Sequence, residues 1–434
     1  MAQVIYGNTF SGGCIQVPPS KSAAHRQVLC AALSRGRCSV SNVDMNEDIK
    51  ATVAAVTALG VQARYDDSSS LLTLDASGLG GQNAVIDCGE SGSTLRFLIP
   101  IVAALGVSAR FEGRGRLPYR PLGVYKELLP AHGVAFSSQG GLPLEISGRL
   151  KSGVYRLPGD VSSQFITGLL FALPLLEGDS EIVLTSPLES KGYVDLTLSV
   201  LREFGVVAQE TAQGWKVSGG QSYTPRNTRV EGDWSQAAFF LCMAALSPQG
   251  AQVELQGLRR DSLQGDKACV DLFRNFGLEI SGRRDSLLAW NPRAGEPYGG
   301  LRGFPIDASQ IPDMVPALSV CAALSRGETR IYNAQRLRLK ESDRLAAMAE
   351  ALTGLGGQVR ATADGLLIQG VPQLAGGIAQ GKNDHRVVMA LAAAGLRCEK
   401  GLSVTDAQSI RKSYPGFFRD FIKLGGFAHV LDLG

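Results

Sequence analysis

A glycine-ended helix followed at once by an apolar strand start occurs six times in this chain. The copies are Leu59-Gly60-Val61, His132-Gly133-Val134, Phe204-Gly205-Val206, Phe276-Gly277-Leu278, Leu355-Gly356-Gly357 and Leu424-Gly425-Gly426. They lie about 70 to 80 residues apart, long for a solenoid unit and natural for a small supersecondary unit used repeatedly. Half a repeat away from each lies a polar motif that opens an apolar helix. These are Ser20-Lys21-Ser22, Ser91-Gly92-Ser93-Thr94, Ser162-Ser163-Gln164, Asp233-Trp234-Ser235, Pro312-Asp313 and Asn383-Asp384-His385-Arg386. A repeated helix is architecture; a polar helix start that differs in every copy is architecture bent to a site.

The third copy shows the unit most clearly. Val154 to Leu157 alternates like a strand, Pro158-Gly159-Asp160 turns, and Ser162 caps a helix through Phe165, Leu169, Leu170 and Leu173. Glu181 to Leu184 is a second strand, and Gly192 to Phe204 a second, amphipathic helix ended by Gly205. Val206 to Gln209 and Trp215 to Ser218 close the unit as a hairpin, giving β-α-β-α-β-β. The other copies fit, with second helices at Asp266 to Phe276, Glu341 to Leu355 and Pro415 to Leu424. An α/β chain of two lobes follows: an inserted lobe of three repeats at 19–231, and a discontinuous lobe of three repeats at 1–18 plus 232–434, completed by one leading strand. Two similar lobes joined by two short crossings form a hinge-like layout, and ligands favour such clefts.

Bulk properties exclude several classes. Apolar residues make up 44% and charged residues 19% of 434, an ordinary folded composition. A formal net charge of +3 is too small to point to nucleic acid or a membrane surface. The eight cysteines form no C-x-x-C pair, and with four histidines a zinc site is not expected; they read as free thiols in a reducing compartment. Met1 to Gly13 carries no signal-peptide pattern, and the apolar runs Phe97 to Leu105 and Leu169 to Leu176 are too short to span a membrane. A cytoplasmic protein is expected.

Each repeat has two helix N-termini, whose free N–H groups and partial positive charge attract anions. Lys21, Arg26, Arg96 and Arg386 sit in first turns, and Arg120-Pro121, Lys340 with Arg344, and Lys412 sit where second helices start. A cation at a helix N-terminus is locally unfavourable, so its recurrence implies a compensating phosphate or carboxylate. Taken singly, Ser-Lys-Ser and Ser-Ser-Gln are ordinary caps, Asp313 a helix-start carboxylate, and His385 a hydrogen-bonded histidine. Their combination points to an anion-binding catalytic site.

These residues, in this order, resemble the 5-enolpyruvylshikimate-3-phosphate synthases. The resemblance covers the chain: Ser20-Lys21-Ser22 with Arg26, Gly92 with Arg96, Arg120-Pro121, Val161-Ser162-Ser163-Gln164, Gly232-Asp233, Ile311-Pro312-Asp313, Leu339-Lys340-Glu341-Ser342-Asp343-Arg344, Asp384-His385-Arg386 and Lys412-Ser413-Tyr414-Pro415. It implies a two-lobed inverse α/β barrel of six β-α-β-α-β-β repeats, three per domain, with the active site in the interdomain cleft. It implies transfer of the enolpyruvyl group of phosphoenolpyruvate to the 5-hydroxyl of shikimate 3-phosphate, with no metal, no organic cofactor, no nucleic acid and no membrane partner. A catalytic cleft complete within one chain fits a monomer, and the lobes are expected to close on shikimate 3-phosphate.

By resemblance, Lys21, Gly92, Arg120, Gln164, Arg344, Arg386 and Lys412 form the phosphoenolpyruvate set. Lys21, Ser22, Arg26, Ser162, Ser163, Gln164, Ser190, Asp313 and Lys340 form the shikimate 3-phosphate set, with Tyr193 one turn from Ser190. Glu341 and Asp313 are the acid–base pair and Lys21 lies by the transferred group; His385 is near the site. This chain departs from many relatives at Glu90-Ser91-Gly92-Ser93, where Asn-Ala-Gly-Thr is common, and at Asn333-Ala334-Gln335-Arg336, where Arg336 loosely replaces a family asparagine. The nearest rival, UDP-N-acetylglucosamine enolpyruvyltransferase, typically carries a cysteine before its Arg-Pro, and Gly113 to Arg120 has none. An RNA-end binding protein on a related repeat fold would need an extended basic surface with stacking aromatics, and aromatics here are 7%.

Overall fold

The computed structural model describes residues 2–6 and 9–432. Its twelve α-helices are α1 (Lys21–Leu33), α2 (Glu47–Ala58), α3 (Gly92–Leu105), α4 (Gly123–Ala131), α5 (Ser163–Ala172), α6 (Lys191–Glu203), α7 (Trp234–Leu246), α8 (Cys269–Phe276), α9 (Val315–Ala323), α10 (Arg344–Gly354), α11 (His385–Gly395) and α12 (Phe417–Lys423). The strands form six four-stranded sheets. Each has one parallel pair of strands extended by two antiparallel pairings. In the third repeat, Val154–Leu157 runs parallel to Ser180–Leu184, which pairs antiparallel with Gly214–Val217, and Ala208–Thr211 closes the edge.

The chain divides into two compact units, Met1–Pro18 with Gly232–Gly434, and Pro19–Glu231. Each unit closes on itself by borrowing strands across its ends. Thr228–Arg229, late in sequence, lies parallel to Arg37–Ser41 and supplies the leading strand of the first repeat. The single leading strand expected from residues 1–18 is instead two. Gly13–Gln16 runs parallel to Val253–Gln256 in the fourth sheet. Ala2–Tyr6 lies between Leu402–Val404 and Ala428–Asp432 in the sixth.

The two helices of a repeat differ in kind. Those opened by the polar motifs are enclosed on every side: all residues of α7, α9 and α11 are buried. A helix with no solvent face must be apolar all round, as Ala237 to Leu246 and Val387 to Ala394 are. The second helices bury one stripe; α8 buries Cys269, Phe273 and Phe276 and exposes Arg274. Strands alternate likewise: in Val154–Leu157, Tyr155 and Leu157 are buried between exposed Val154 and Arg156. Each unit has its own continuous apolar core.

All six repeat glycines have positive φ, from 79° at Gly205 and Gly425 to 124° at Gly277. At Gly60 the N–H donates to Thr57 O at 2.9 Å and the next N–H, of Val61, to Val56 O at 3.1 Å; this paired closure satisfies the last helical carbonyls. A Cβ on Gly60 would lie 2.3 Å from Gly78 O, so alanine there meets both backbone strain and a clash.

Candidate active site

Five of the six polar motifs cap their inner helices directly. Ser20 Oγ accepts from Ala23 N–H, Ser91 Oγ from Thr94 N–H, Ser162 Oγ from Gln164 N–H, Asp233 from Ser235 and Gln236 N–H, and Asp384 from Arg386 N–H. Pro312-Asp313 does not: proline fixes a short 3₁₀ turn, Pro312–Met314, ahead of α9, and the Asp313 side chain is left for other partners. The second-helix cations precede their helices rather than starting them. Arg120 lies ahead of α4, Lys340 and Glu341 ahead of α10, and Lys412 in a 3₁₀ turn ahead of α12. Of these four cations only Arg344 is a first helical residue.

In the 19–231 unit, Lys21 Nζ donates to Asp48 Oδ2 at 2.7 Å in a half-buried ion pair. Ser93, Arg96 and Gln164 form a second knot: Arg96 Nη1 donates to Gln164 Oε1 at 2.6 Å, and Gln164 Nε2 to Ser93 Oγ at 3.0 Å. Arg120 lies across the start of α3, so close that a Cβ on Gly92 would sit 2.6 Å from its Nη1. A side chain at position 92 would therefore have to displace the Arg120 guanidinium. Glu90 is turned into the following loop, with its carboxylate against Gly115, where a Cβ would meet Oε2 at 2.3 Å. The extra oxygen of Ser91 is fully buried and serves as the α3 cap.

The remaining residues expected in this unit frame the same helix starts. Arg26 donates from Nε to Thr197 Oγ1 at 2.8 Å, from Nη1 to Ser22 O at 2.6 Å and from Nη2 to Tyr193 O at 2.9 Å. Burial pulls its guanidinium down to about 10. Its planar fork thus ties α1 to α6. Ser190 begins α6 in the left-handed conformation at φ 55° and is buried; Ser162 and Ser163 open α5.

In the other unit the site is an ion network centred on Arg344, whose side chain is 1% exposed. Nε donates to Asp384 Oδ2 at 2.8 Å, Nη1 to Asp313 Oδ1 at 3.0 Å and Nη2 to Glu341 Oε2 at 2.7 Å. Burial alone would pull its pKa down, but Asp384, Glu341 and Asp313 push it up. Arg386 bridges onward: Nη2 donates to Asp313 Oδ2 at 3.1 Å and to Ser235 Oγ at 3.0 Å, and Ser235 Oγ to Asp233 Oδ1 at 2.6 Å. Lys340 Nζ is 3.7 Å from Asp313 Oδ1. Lys412 donates to Asn383 O at 2.7 Å.

Burial raises the Asp313 pKa, but Arg386, Lys340 and Arg344 outweigh it and hold the carboxyl well below the usual range, against an opposing push from Glu341. Buried His385 has Nδ1 4.0 Å from Asp384 Oδ1. Arg336 is turned to Ser309 O. Sequence reasoning named Asp384 only within its motif and left Asp48 and Ser235 unassigned. A carboxylate at an inner-helix cap opposite a buried arginine was the available signal for Asp384. For Asp48 there was none, because its partner Lys21 is 27 residues away. Among the described residues no group of three His, Cys, Asp or Glu could hold a metal ion, and no helix is long and apolar enough to cross a membrane.

Known proteins resemble this chain along nearly its whole length. The family model for EPSP synthase (3-phosphoshikimate 1-carboxyvinyltransferase) matches residues 7–421. The 3-phosphoshikimate 1-carboxyvinyltransferase of Clostridium perfringens is 43% identical over 428 residues, covering 98% of this chain and 99% of the relative. That of Clostridioides difficile is 44% identical over 442 residues, covering 99% of both. The solved EPSP synthase of Acinetobacter baumannii superposes with a TM-score of 0.82 at 26% identity over 100% of both chains. The enolpyruvyl transferase NikO of Streptomyces tendae, at 18% identity and TM-score 0.79 over 99% and 98%, shares the fold. With its whole length matched, the chain belongs to the EPSP synthase family.

Proposed function

We propose that this protein transfers the enolpyruvyl group of phosphoenolpyruvate to the 5-hydroxyl of shikimate 3-phosphate and releases phosphate, a step of aromatic amino acid biosynthesis. The observation that carries this beyond family membership is the pair of carboxylates on one guanidinium. Asp313 and Glu341 both accept from Arg344, with Lys340 and Arg386 at Asp313. Addition–elimination needs two proton transfers beside several anionic groups, and two carboxylates among fixed cations supply both.

In addition, C3 of phosphoenolpyruvate gains a proton, the 5-oxygen bonds to C2, and the hydroxyl proton leaves. In elimination the C3 proton departs and the C2–O bond to phosphate breaks. We assign the C3 proton to Glu341 and the hydroxyl to Asp313. Lys21, Gly92, Arg120, Gln164, Arg344, Arg386 and Lys412 would gather phosphoenolpyruvate. Ser22, Arg26, Ser162, Ser163, Gln164, Ser190 and Lys340 would gather shikimate 3-phosphate, with Tyr193 beside Ser190.

The depressed pKa of Asp313 makes it a weak base while its three cations are engaged. Substrate phosphates and carboxylates that draw on Arg386, Lys340 and Arg344 would raise its basicity at the moment the hydroxyl arrives. Asp313 would thus be switched on by the anionic substrates themselves. The test is phosphate release from phosphoenolpyruvate with shikimate 3-phosphate or UDP-N-acetylglucosamine as acceptor. Release only with shikimate 3-phosphate, lost in Lys21→Ala, is expected; release only with the nucleotide sugar would overturn the assignment.

A further inference from the structure

We infer that His25, Thr52 and Thr94 are positioning residues of the phosphoenolpyruvate pocket, a buried hydrogen-bonded chain that fixes the start of α3 against α1 and α2. The inference rests on the placement of that pocket at Gly92 and Lys21. His25 Nδ1 is 2.7 Å from Thr52 Oγ1, and Thr52 Oγ1 is 2.6 Å from Thr94 Oγ1. Thr94 Oγ1 donates to Ser91 Oγ at 2.8 Å. Ser91 Oγ also accepts the Thr94 N–H at 3.2 Å as the cap of α3. Thr52, Thr94 and Ser91 are wholly enclosed and His25 is 1% exposed.

Packing alone does not ask for these residues. A buried hydroxyl carries a desolvation cost that an isosteric valine would avoid, so a polar chain in a core signifies connection. This one touches the site at two points. One end is the cap of α3, whose first residue lies under Arg120. Beside its middle, the Asp48 main-chain oxygen lies 3.4 Å from Thr52 Oγ1 and 3.5 Å from Thr94 Oγ1 while its carboxylate holds Lys21.

The chain also has a direction. A hydroxyl carries one proton. If Thr94 spends its proton on Ser91, Thr52 must donate to Thr94, and His25 Nδ1–H must donate to Thr52. His25 Nε2 is buried without a hydrogen-bond partner among the described residues, and the ring meets Phe97 edge-on. A charged imidazole would strand an N–H there. Burial, with Lys21 and Arg26 nearby, holds the histidine pKa well below its ordinary value. The ring is therefore a neutral, fixed donor beside two cations, and it orders the hydroxyls without adding a third charge.

The variants are Thr52→Val and Thr94→Val, with Thr52→Ser as the conservative control, each followed by steady-state kinetics and by hydrogen exchange. We expect either valine to raise KM for phosphoenolpyruvate about fivefold, the equivalent of one lost buried hydrogen bond. KM for shikimate 3-phosphate should change less than about twofold, and Thr52→Ser should restore both. Amides in the first turn of α3 should exchange faster in the valine variants while those of α5 do not. The double valine variant should be no worse than the worse single one, because a chain broken once is already broken. Unchanged KM for phosphoenolpyruvate, parallel rises in both KM values, or no rescue by serine would overturn the inference, as would unchanged α3 exchange. Lack of turnover in the unmodified protein would instead defeat the proposed activity, and the exchange experiment would still decide the link.

Discussion

Removal of the Asp384 carboxylate probes the buried network where it is tightest. Asp384 is 0% exposed and receives Arg344 Nε at 2.8 Å, Ser342 Oγ at 2.9 Å and the Arg386 N–H at 2.9 Å. Asp384→Ala removes a helix cap, worth about 1 kcal/mol. It also breaks a buried ion pair, for which about 3–5 kcal/mol is typical. Arg344 keeps Asp313 and Glu341, so the lower end applies and the total is about 4 kcal/mol. For a unit of roughly 200 residues each kcal/mol lowers the melting temperature by about 2–4 °C. Scanning calorimetry should therefore show a fall of about 8–16 °C. Asp384→Asn, which can still cap α11, should recover only the capping share. A fall of less than about 2 °C for alanine, or full recovery with asparagine, would refute the claim that charge at Asp384 anchors Arg344.

Further outcomes follow from other contacts. Gly92→Ala places a methyl 2.6 Å from Arg120 Nη1; overpacking of about 1–3 kcal/mol should raise KM for phosphoenolpyruvate by at least about fivefold, and an unchanged KM would show that Arg120 yields freely. Glu341→Gln should lower kcat by at least about a hundredfold, and near-normal turnover would remove Glu341 from the C3 proton transfer. Asp313 holds its proton more weakly folded than unfolded, so its contribution to stability is full above the unfolded value near 3.8 and is lost as pH falls through the lower folded value. Acid unfolding of Asp313→Asn below that pH should be correspondingly shallower, and an identical acid limb would contradict the ion pairing. Seven of the eight free cysteines are buried and only Cys14 is partly exposed, so a thiol reagent should label one cysteine quickly in the native protein; several fast thiols would contradict the described cores.

The repeat architecture was legible because its signals are local. A glycine after each second helix and a polar cap before five of the six inner helices need only neighbouring residues, and both stood in the sequence. Pairings across the chain were not legible. Thr228–Arg229 leads the first repeat beside Arg37–Ser41, and no local pattern in two residues announces that. The expected single N-terminal strand became two because Ala2–Tyr6 and Gly13–Gln16 answer to different distant partners. The start of α10 was misplaced by three residues: Asp343, which caps it, sits in a charged run whose neighbours resemble helical ion pairs.

The candidate site divides in the same way. Resemblance supplied residue names, but not which cation holds which carboxylate. Glu90 and Ser91, the departures that stood out in sequence, are placed by the structure in a loop contact and a cap. Asp48 and Thr52 carried no motif at all; their importance rests on atoms from α1, α2 and α3 meeting in three dimensions.

The most direct test of enolpyruvyl transfer is to follow phosphoenolpyruvate labelled with ¹³C at C2 and C3 by nuclear magnetic resonance, with shikimate 3-phosphate present. We expect both labelled carbons to appear in an enol ether on the 5-oxygen, with one phosphate released for each ether formed. Phosphate released with labelled pyruvate and no ether, or no turnover of phosphoenolpyruvate with this acceptor, would contradict it.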